Sequence, residues 1–530
     1  MFLFIGGHKD IRISGLLSQT NPGIKHIRKI SLQLEKTVLS PSRPVVDDSD
    51  DSSDEEPEVK FESITGAARQ AQFTVRLLID FLPNDILENF SWQNWEPFSL
   101  DNWVLLMKKQ KRLKAVEIAA VDRPFMSVLE KQPGLLSGLT GPKSLHFYPD
   151  DLDRLKACQK LLEAQPNVSE LQLSSGYHPD VDQPEDLQDS STRPGLITRT
   201  IFSHFMPFHS CITPMTLKKL TLDNVDLRYA ADTYMKFIQF NALESLVVGG
   251  CTGPDAVFAQ LSKPHQRPTR LKKLRWFHEA IGETHALEAF EGLLEAITGL
   301  EVLLVDSNHI AGLPKAAAIS HHGKSLEVLS IRSRMPSTAI LLYESDQIEE
   351  ICNNCLELRQ LSITFPITSV SDAEPSSDFT TYLRSCKKLR HLTTINFHGW
   401  PSTNSPFINS RSRAPKLKSA YYDLYEHGLQ RLAQQIFDAS DMNSREQGWG
   451  LGHRSMLAVI AFGANGVSPF DTDKIKLKQV PFVRGQKIDA FGNKSMLAVK
   501  TEWKMVQFIE PESDVLNHSL YDLNDVHNAP

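Results

Sequence analysis

The 530-residue chain carries 41% apolar and 23% charged residues, the balance of a soluble chain long enough for about two to four domains. Its net charge of −7 is local: residues 47 to 58 hold eight carboxylates (Asp47, Asp48, Asp50, Asp51, Asp54, Glu55, Glu56, Glu58), and without them the net is +1. A near-neutral body lacks the one-sided Lys and Arg field of a nucleic-acid binder or an anionic-membrane binder, so both partner classes are set aside.

The first 23 residues form an N-terminal segment. MFLFIGGHKDIRIS offers only about five apolar residues before charge, against roughly 7 to 15 in a signal peptide. No apolar run approaches the roughly 18 residues of a membrane span. Six cysteines in so long a chain do not make a secreted disulfide framework, and the reading is a reducing compartment, cytoplasmic or nuclear.

From residue 24 a pattern LxxLxL, with apolar substitutes, recurs along the chain. It stands first at Ile27-Ile30-Leu32, then at Leu87-Phe90-Trp92, Leu113-Val116-Ile118 and Val168-Leu171-Leu173, with a weak copy at Leu145 and Phe147. From Leu217-Leu220-Leu222 it is regular, through Leu243-Leu246-Val248, Leu271-Leu274-Trp276, Leu300-Leu303-Val305, Leu326-Leu329-Ile331 and Leu358-Leu361-Ile363. Weaker copies follow at Leu392-Ile395-Phe397, one residue out of step, and at Leu417-Ala420-Tyr422. The first positions advance by 26, 28, 29, 26, 32, 34 and 25 residues, room for one strand and one helix per turn.

Helical periodicity lies between the strands, as in residues 230 to 240, 254 to 261, 284 to 297 and 344 to 355. Two intervals too long for one repeat read as insertions: an acidic, disordered one near 40 to 60, and a polar one at 174 to 200. The expected fold is therefore α/β, a leucine-rich-repeat solenoid over 24 to 424 with a curved parallel sheet and outer helices. No strand-helix unit buries its apolar face alone, so neighbours stack into one core. Residues 425 to 530 read as a helix, YEHGLQRLAQQIFDAS, and a β-containing cap with two strands around an AFGN turn. The five residues SMLAV occur twice there, at 455 to 459 and 495 to 499.

Catalytic signatures are few. Gly249-Gly250-Cys251-Thr252-Gly253 is a G-x-C-x-G between strand and helix, the setting of a nucleophile elbow, and leaves a hydrolase using Cys251 as a distant alternative. Yet Cys251, like Asn308 in a later copy, stands three places beyond the last apolar residue, where a repeat places a buried structural side chain. It is expected to be buried and unreactive. Cys352-x-x-Cys355 has no second pair to complete a zinc site, and both cysteines, with Cys386, stand at helix ends ahead of a strand. His321 and His322 lie in a turn and read as solvated. No phosphate loop, dinucleotide fingerprint or HExxH stands in the chain, so no enzyme activity, cofactor or metal is expected. Ser52 and Ser53, each with a glutamate three residues on, are phosphorylation candidates within a run otherwise read as solvated.

The repeats with a helix-end cysteine before the strand, as in CNNCLELRQLSI and SCKKLRHLTTI, resemble the F-box and leucine-rich-repeat proteins, particularly the long fungal ones. That resemblance implies a substrate receptor of a cullin-type ubiquitin ligase, in which an F-box docks on a Skp-type adaptor and the repeats capture a protein. Leu82-Pro83-Asn84-Asp85-Ile86-Leu87-Glu88-Asn89-Phe90 is similar to the opening of an F-box, but Leu87-Phe90-Trp92 also reads as a repeat strand in 26-residue step with Leu113. A scaffold with no link to ubiquitin is the alternative.

In each LxxLxL the apolar residues point into the core, so the residues between them line the concave sheet. Val247, Phe277, Val302, Leu304 and Val328 are expected to form an exposed apolar patch. Lys273, Arg275, Asp306 and Arg332 border it, and Phe277 and Arg275 are the expected anchors for a protein partner. Later copies turn polar, with Gln360, Ser362, Thr364, Asn396 and His398. Against a binding patch stand strand propensity alone, or a loop that covers it.

Overall fold

The computed structural model describes residues 2–6, 23–33, 72–92, 98–118, 124–128, 143–175, 194–203, 214–398, 415–446, 456–463 and 479–516, with short gaps inside several ranges. The acidic run 47 to 58 with Ser52 and Ser53, and residues 176–193 of the second insertion, lie outside them. The chain divides into two compact units, Met1–Leu243 with Cys251–Gly253, and Glu244–Gly250 with Pro254–Pro530. Each is mixed α/β, built on an open, mostly parallel sheet.

The first unit holds β1 (Phe2–Gly6), β2 (Lys29–Gln33), β3 (Asn89–Trp92), β4 (Ala115–Ile118), β5 (Ser144–Phe147), β6 (Glu170–Ser174) and β7 (Lys219–Asp223). Each pairs in parallel with the next. Parallel pairing demands a crossover, and the helices Leu100–Lys109, Leu152–Glu163 and Leu196–Ile201 lie in three of the connections. The apolar positions of LxxLxL stack across the sheet: Ile30, Phe90, Val116, Leu145, Leu171 and Leu220 are side by side. None is more than 5% exposed. β1 stands in a segment where the sequence reading placed no strand.

The segment that is similar to an F-box opening leads into β3. The Gln110 side chain, fully buried, accepts the N–H groups of Ile86 and Leu87, each at 3.0 Å, and donates to the Pro83 carbonyl at 2.9 Å. Three backbone groups of the loop are thereby satisfied from outside it, which holds Leu82 to Leu87 in a bend rather than a helix. Phe90 and Trp92 then close on Phe98, at centroid distances of 5.3 and 5.4 Å.

In the second unit, β8 (Ser245–Gly249), β9 (Lys273–His278), β10 (Val302–Asn308), β11 (Val328–Arg334), β12 (Gln360–Ile363), β13 (Thr394–Phe397) and β14 (Val459–Phe462) are parallel neighbours in that order. Leu246, Leu274, Leu303, Leu329, Leu361, Ile395 and Ile460 form one buried row. Their face of the sheet packs on the connecting helices: Trp276 stacks on Phe290 of the helix Ala286–Ala296 at 4.5 Å and meets Phe258 of Asp255–Leu261 edge-on at 5.7 Å. Further along, Phe397 packs against Phe365, Phe379 and Phe462.

The sheet ends in an antiparallel hairpin of β15 (Val480–Ile488) and β16 (Lys494–Lys500), which turns on Ala490-Phe491-Gly492-Asn493, with the Asp489 carboxylate accepting the Phe491 and Asn493 N–H groups. The two SMLAV copies thus differ in structure. The first leads into parallel β14, and the second lies within antiparallel β16. The expected weak copy at Leu417-Ala420-Tyr422 is corrected, because those residues belong to the long helix Pro415–Glu446. Farther along, that helix buries Leu429, Leu432, Ala433, Ile436 and Phe437 at three- and four-residue spacing, and the helical period prevails over the short strand-like match. That helix is tied to the hairpin by Gln430, which donates to the Ala498 carbonyl at 2.8 Å, and by Gln434, which accepts the Ala498 N–H at 2.7 Å.

Candidate functional site

The strand register arranges the second unit's other sheet face, opposite the helices, in rows. One row runs Lys273, Val302, Val328, Gln360, Thr394, Val459 and Val483. The next runs Val247, Arg275, Leu304, Ser330, Ser362, Asn396 and Ala461, and a third Gly249, Phe277, Asp306 and Arg332. The residues expected to line this face are therefore brought together, and the alternation that assigned them holds.

Their exposure differs from expectation. Val247, Val302, Leu304 and Val328 are 8%, 7%, 6% and 6% exposed, so no open apolar patch exists there. For Val302, Leu304 and Val328 the cover is the chain's own C-terminal segment: Val506 and Ile509 of the helix Trp503–Ile509, with Val515 and Leu516, join them and Val459, Ala461 and Val483 in one apolar cluster. Of the expected border, Lys273 is exposed, while Arg275, Phe277, Asp306 and Arg332 are half-buried. Asp306 and Arg332 sit directly opposite each other on β10 and β11, 3.8 Å apart. Burial pushes the Arg275 guanidinium below its ordinary pKa, and the negative charge of Asp514 opposes that shift.

Polar contacts fix the segment lengthwise. Gln360 Oε1 accepts the Asp514 N–H at 2.9 Å, the Val515 N–H at 3.4 Å and the Ser513 hydroxyl at 3.5 Å. Beside it, Ser362 Oγ is 2.5 Å from His398 Nε2 and accepts from Asn396 Nδ2 at 2.8 Å, all three residues being buried. Thr394 Oγ1 and Asn396 Oδ1 have no hydrogen-bond partner among the described residues, although both residues are 0% exposed. Ser513, Asp514, Val515 and Leu516 were missed by the sequence reading. The one signal was the amphipathic run WKMVQFI followed by SDVL, which carries no repeat pattern.

The other candidates resolve separately. Cys251 is 1% exposed and its thiol donates to the Leu222 carbonyl at 3.5 Å, a buried structural thiol as expected. Gly253, two residues on, adopts φ +64° against Arg228, whose Cγ would stand 2.5 Å from a Cβ placed there. Cys352, Cys355 and Cys386 are all buried. The neighbouring Cys386 and burial hold the Cys352 thiol well above its usual range, and burial pushes the Cys355 thiol up to about 12. Neither Cys352 nor Cys355 is poised as a thiolate at neutral pH. The solvated reading of the two turn histidines holds for His321 alone. His322 is 1% exposed, and burial lowers its pKa to about 4. The side chain of Asn308 lies outside the described residues.

Among the described residues, no cluster of His, Cys, Asp and Glu could hold a metal ion, and no helix is long and apolar enough to cross a membrane. No protein-family model matches the chain, and no curated protein resembles it in sequence.

Proposed function

We propose that the chain is a curved leucine-rich-repeat solenoid that recognises another protein on the open, concave face of its sheet. The observation that carries this reading is the composition of that face in the second unit. Val302, Leu304 and Val328 form an apolar centre, with Phe277, Arg275, Asp306 and Arg332 at its border, and the centre holds a peptide segment in place. An apolar centre with a charged and aromatic rim is the composition of protein interfaces. The regular strand-to-strand interval and the in-register apolar rows support a stack of repeats.

Following the resemblance to F-box and leucine-rich-repeat proteins, the proposed role is substrate receptor of a cullin-type ubiquitin ligase. One observation favours the alternative of a scaffold without that link: the segment Leu82 to Phe90 bends and enters β3 instead of starting a helix. Affinity purification with mass spectrometry tests both. Proteins retained by the wild type and lost on combining Phe277→Ala with Arg275→Glu, with the thermal midpoint unchanged, support recognition through this face. An identical set of partners in the double variant refutes it. Co-purification of a Skp-type adaptor separates the ubiquitin-linked reading from the scaffold.

A further inference from the structure

Residues 503 to 516 meet the open face in ways that differ from the packing of the helices behind the sheet. Their apolar contact is one-sided: Val506 is buried, whereas Met505 and Phe508 of the same seven-residue helix are 50% and 83% exposed. Beyond the helix the chain is held as a bound peptide is held. Gln360 reads two consecutive backbone N–H groups, the negative charge of Asp514 acts on a half-buried Arg275, and Val515 and Leu516 join Val302, Leu304 and Val328 in the apolar centre. Thr394 and Asn396, in register with Gln360 and Ser362, keep buried oxygens without a partner among the described residues. A permanent core would place apolar groups there, since a buried polar atom left unpaired is costly.

We propose that residues 503 to 516 are an exchangeable internal ligand, and that the partner of this face is a protein segment of the same chemistry. That segment is a short amphipathic helix followed by an acidic residue and two aliphatic ones, the pattern of Asp514-Val515-Leu516. The acidic residue brings its charge toward Arg275, the adjoining backbone N–H groups bond Gln360, and the aliphatic pair fills the centre. The tail excludes weak competitors because a tethered ligand acts at about millimolar effective concentration, and a partner gains access only by displacing it. This inference rests on the protein-recognition reading above and supplies the chemistry of the partner.

The test uses the full-length chain and a fluorescently labelled synthetic peptide of residues 503 to 516. In a chain carrying Val515→Asp and Leu516→Asp the tail is released, and the peptide is expected to bind at least about tenfold more tightly than it binds the wild type. Asp514→Lys in the peptide, or Gln360→Ala added to the chain, is expected to remove about tenfold of that affinity. A folded tail variant that binds the peptide no better than the wild type overturns the proposal. Should the variant fail to fold, the wild type answers instead: excess peptide speeds hydrogen exchange across residues 503 to 516 if the tail is exchangeable, and unchanged exchange overturns the proposal. Peptide binding without any captured cellular protein leaves exchange standing and sinks the recognition reading. Partners that depend on Phe277 and Arg275, without peptide binding, do the reverse.

Discussion

Replacing Gln360 by Ala is expected to loosen the C-terminal segment while leaving the strands beneath it intact. The side chain is 7% exposed, and its Oε1 receives three donors from the segment. Only the Asp514 N–H, at 2.9 Å, has a good hydrogen-bond length; the Val515 N–H at 3.4 Å and the Ser513 hydroxyl at 3.5 Å are long. A buried donor that loses its acceptor costs about 1 to 3 kcal/mol, so one well-made and two weak bonds amount to about 2 kcal/mol, less whatever an entering water restores. The loss falls on docking of the tail, because the donors that Gln360 satisfies belong to the tail. Native-state hydrogen exchange reads this by region. Protection of residues 513 to 516 should fall by about 30-fold, since 1.4 kcal/mol is a factor of ten, while the amides of β10 and β11 keep theirs. An equal fall in every strand of the second unit, or no fall in the tail, refutes the account of how Gln360 holds it.

Cys251→Ser should cost about 1 kcal/mol, because a more polar group enters a buried site and keeps one bond to the Leu222 carbonyl; a small drop in urea midpoint measures it, and rapid thiol labelling of the native wild type at Cys251 would contradict the burial. His322 is held neutral in the folded chain at a pKa of about 4, below the ordinary value of about 6.5, so its contribution is complete above pH 6.5 and is lost as pH falls toward 4. The loss is at most about 3 kcal/mol, and His322→Gln should flatten the stability profile across that window, with no change below it. Gly253→Ala should lower stability by about 1 to 2 kcal/mol in thermal unfolding, since φ +64° and the nearby Arg228 side chain both oppose a Cβ. The Phe277→Ala and Arg275→Glu pair should lose partner capture, with its thermal cost confined to docking of the tail, because both side chains are half-buried and the new carboxylate meets the charge of Asp514.

The strands were legible because their determinants are local. In Leu303-Leu304-Val305 or Leu361-Ser362-Ile363, alternation with period two states which side chains turn to the helices, and a repeat interval near 26 residues leaves room for a helical crossover to the next parallel strand. The same alternation by itself places Val302, Leu304, Val328, Arg275 and Phe277 on one face. Where two periodicities competed over a few residues, as at Leu417-Ala420-Tyr422, the longer helical pattern decided, and a short motif could not report it. His322 shows a related limit: a histidine beside a histidine in a turn reads as polar surface, and only the packing around it reveals a dry site. What covers the open face was decided by tertiary structure alone. Val515 and Leu516 meet Val302 and Val328 across about two hundred residues of chain, and Gln360 finds the Asp514 N–H at a separation of 154. Local periodicity reports the direction in which a side chain points, but burial depends on which distant segment arrives there, and that is set by the folded path of the whole unit.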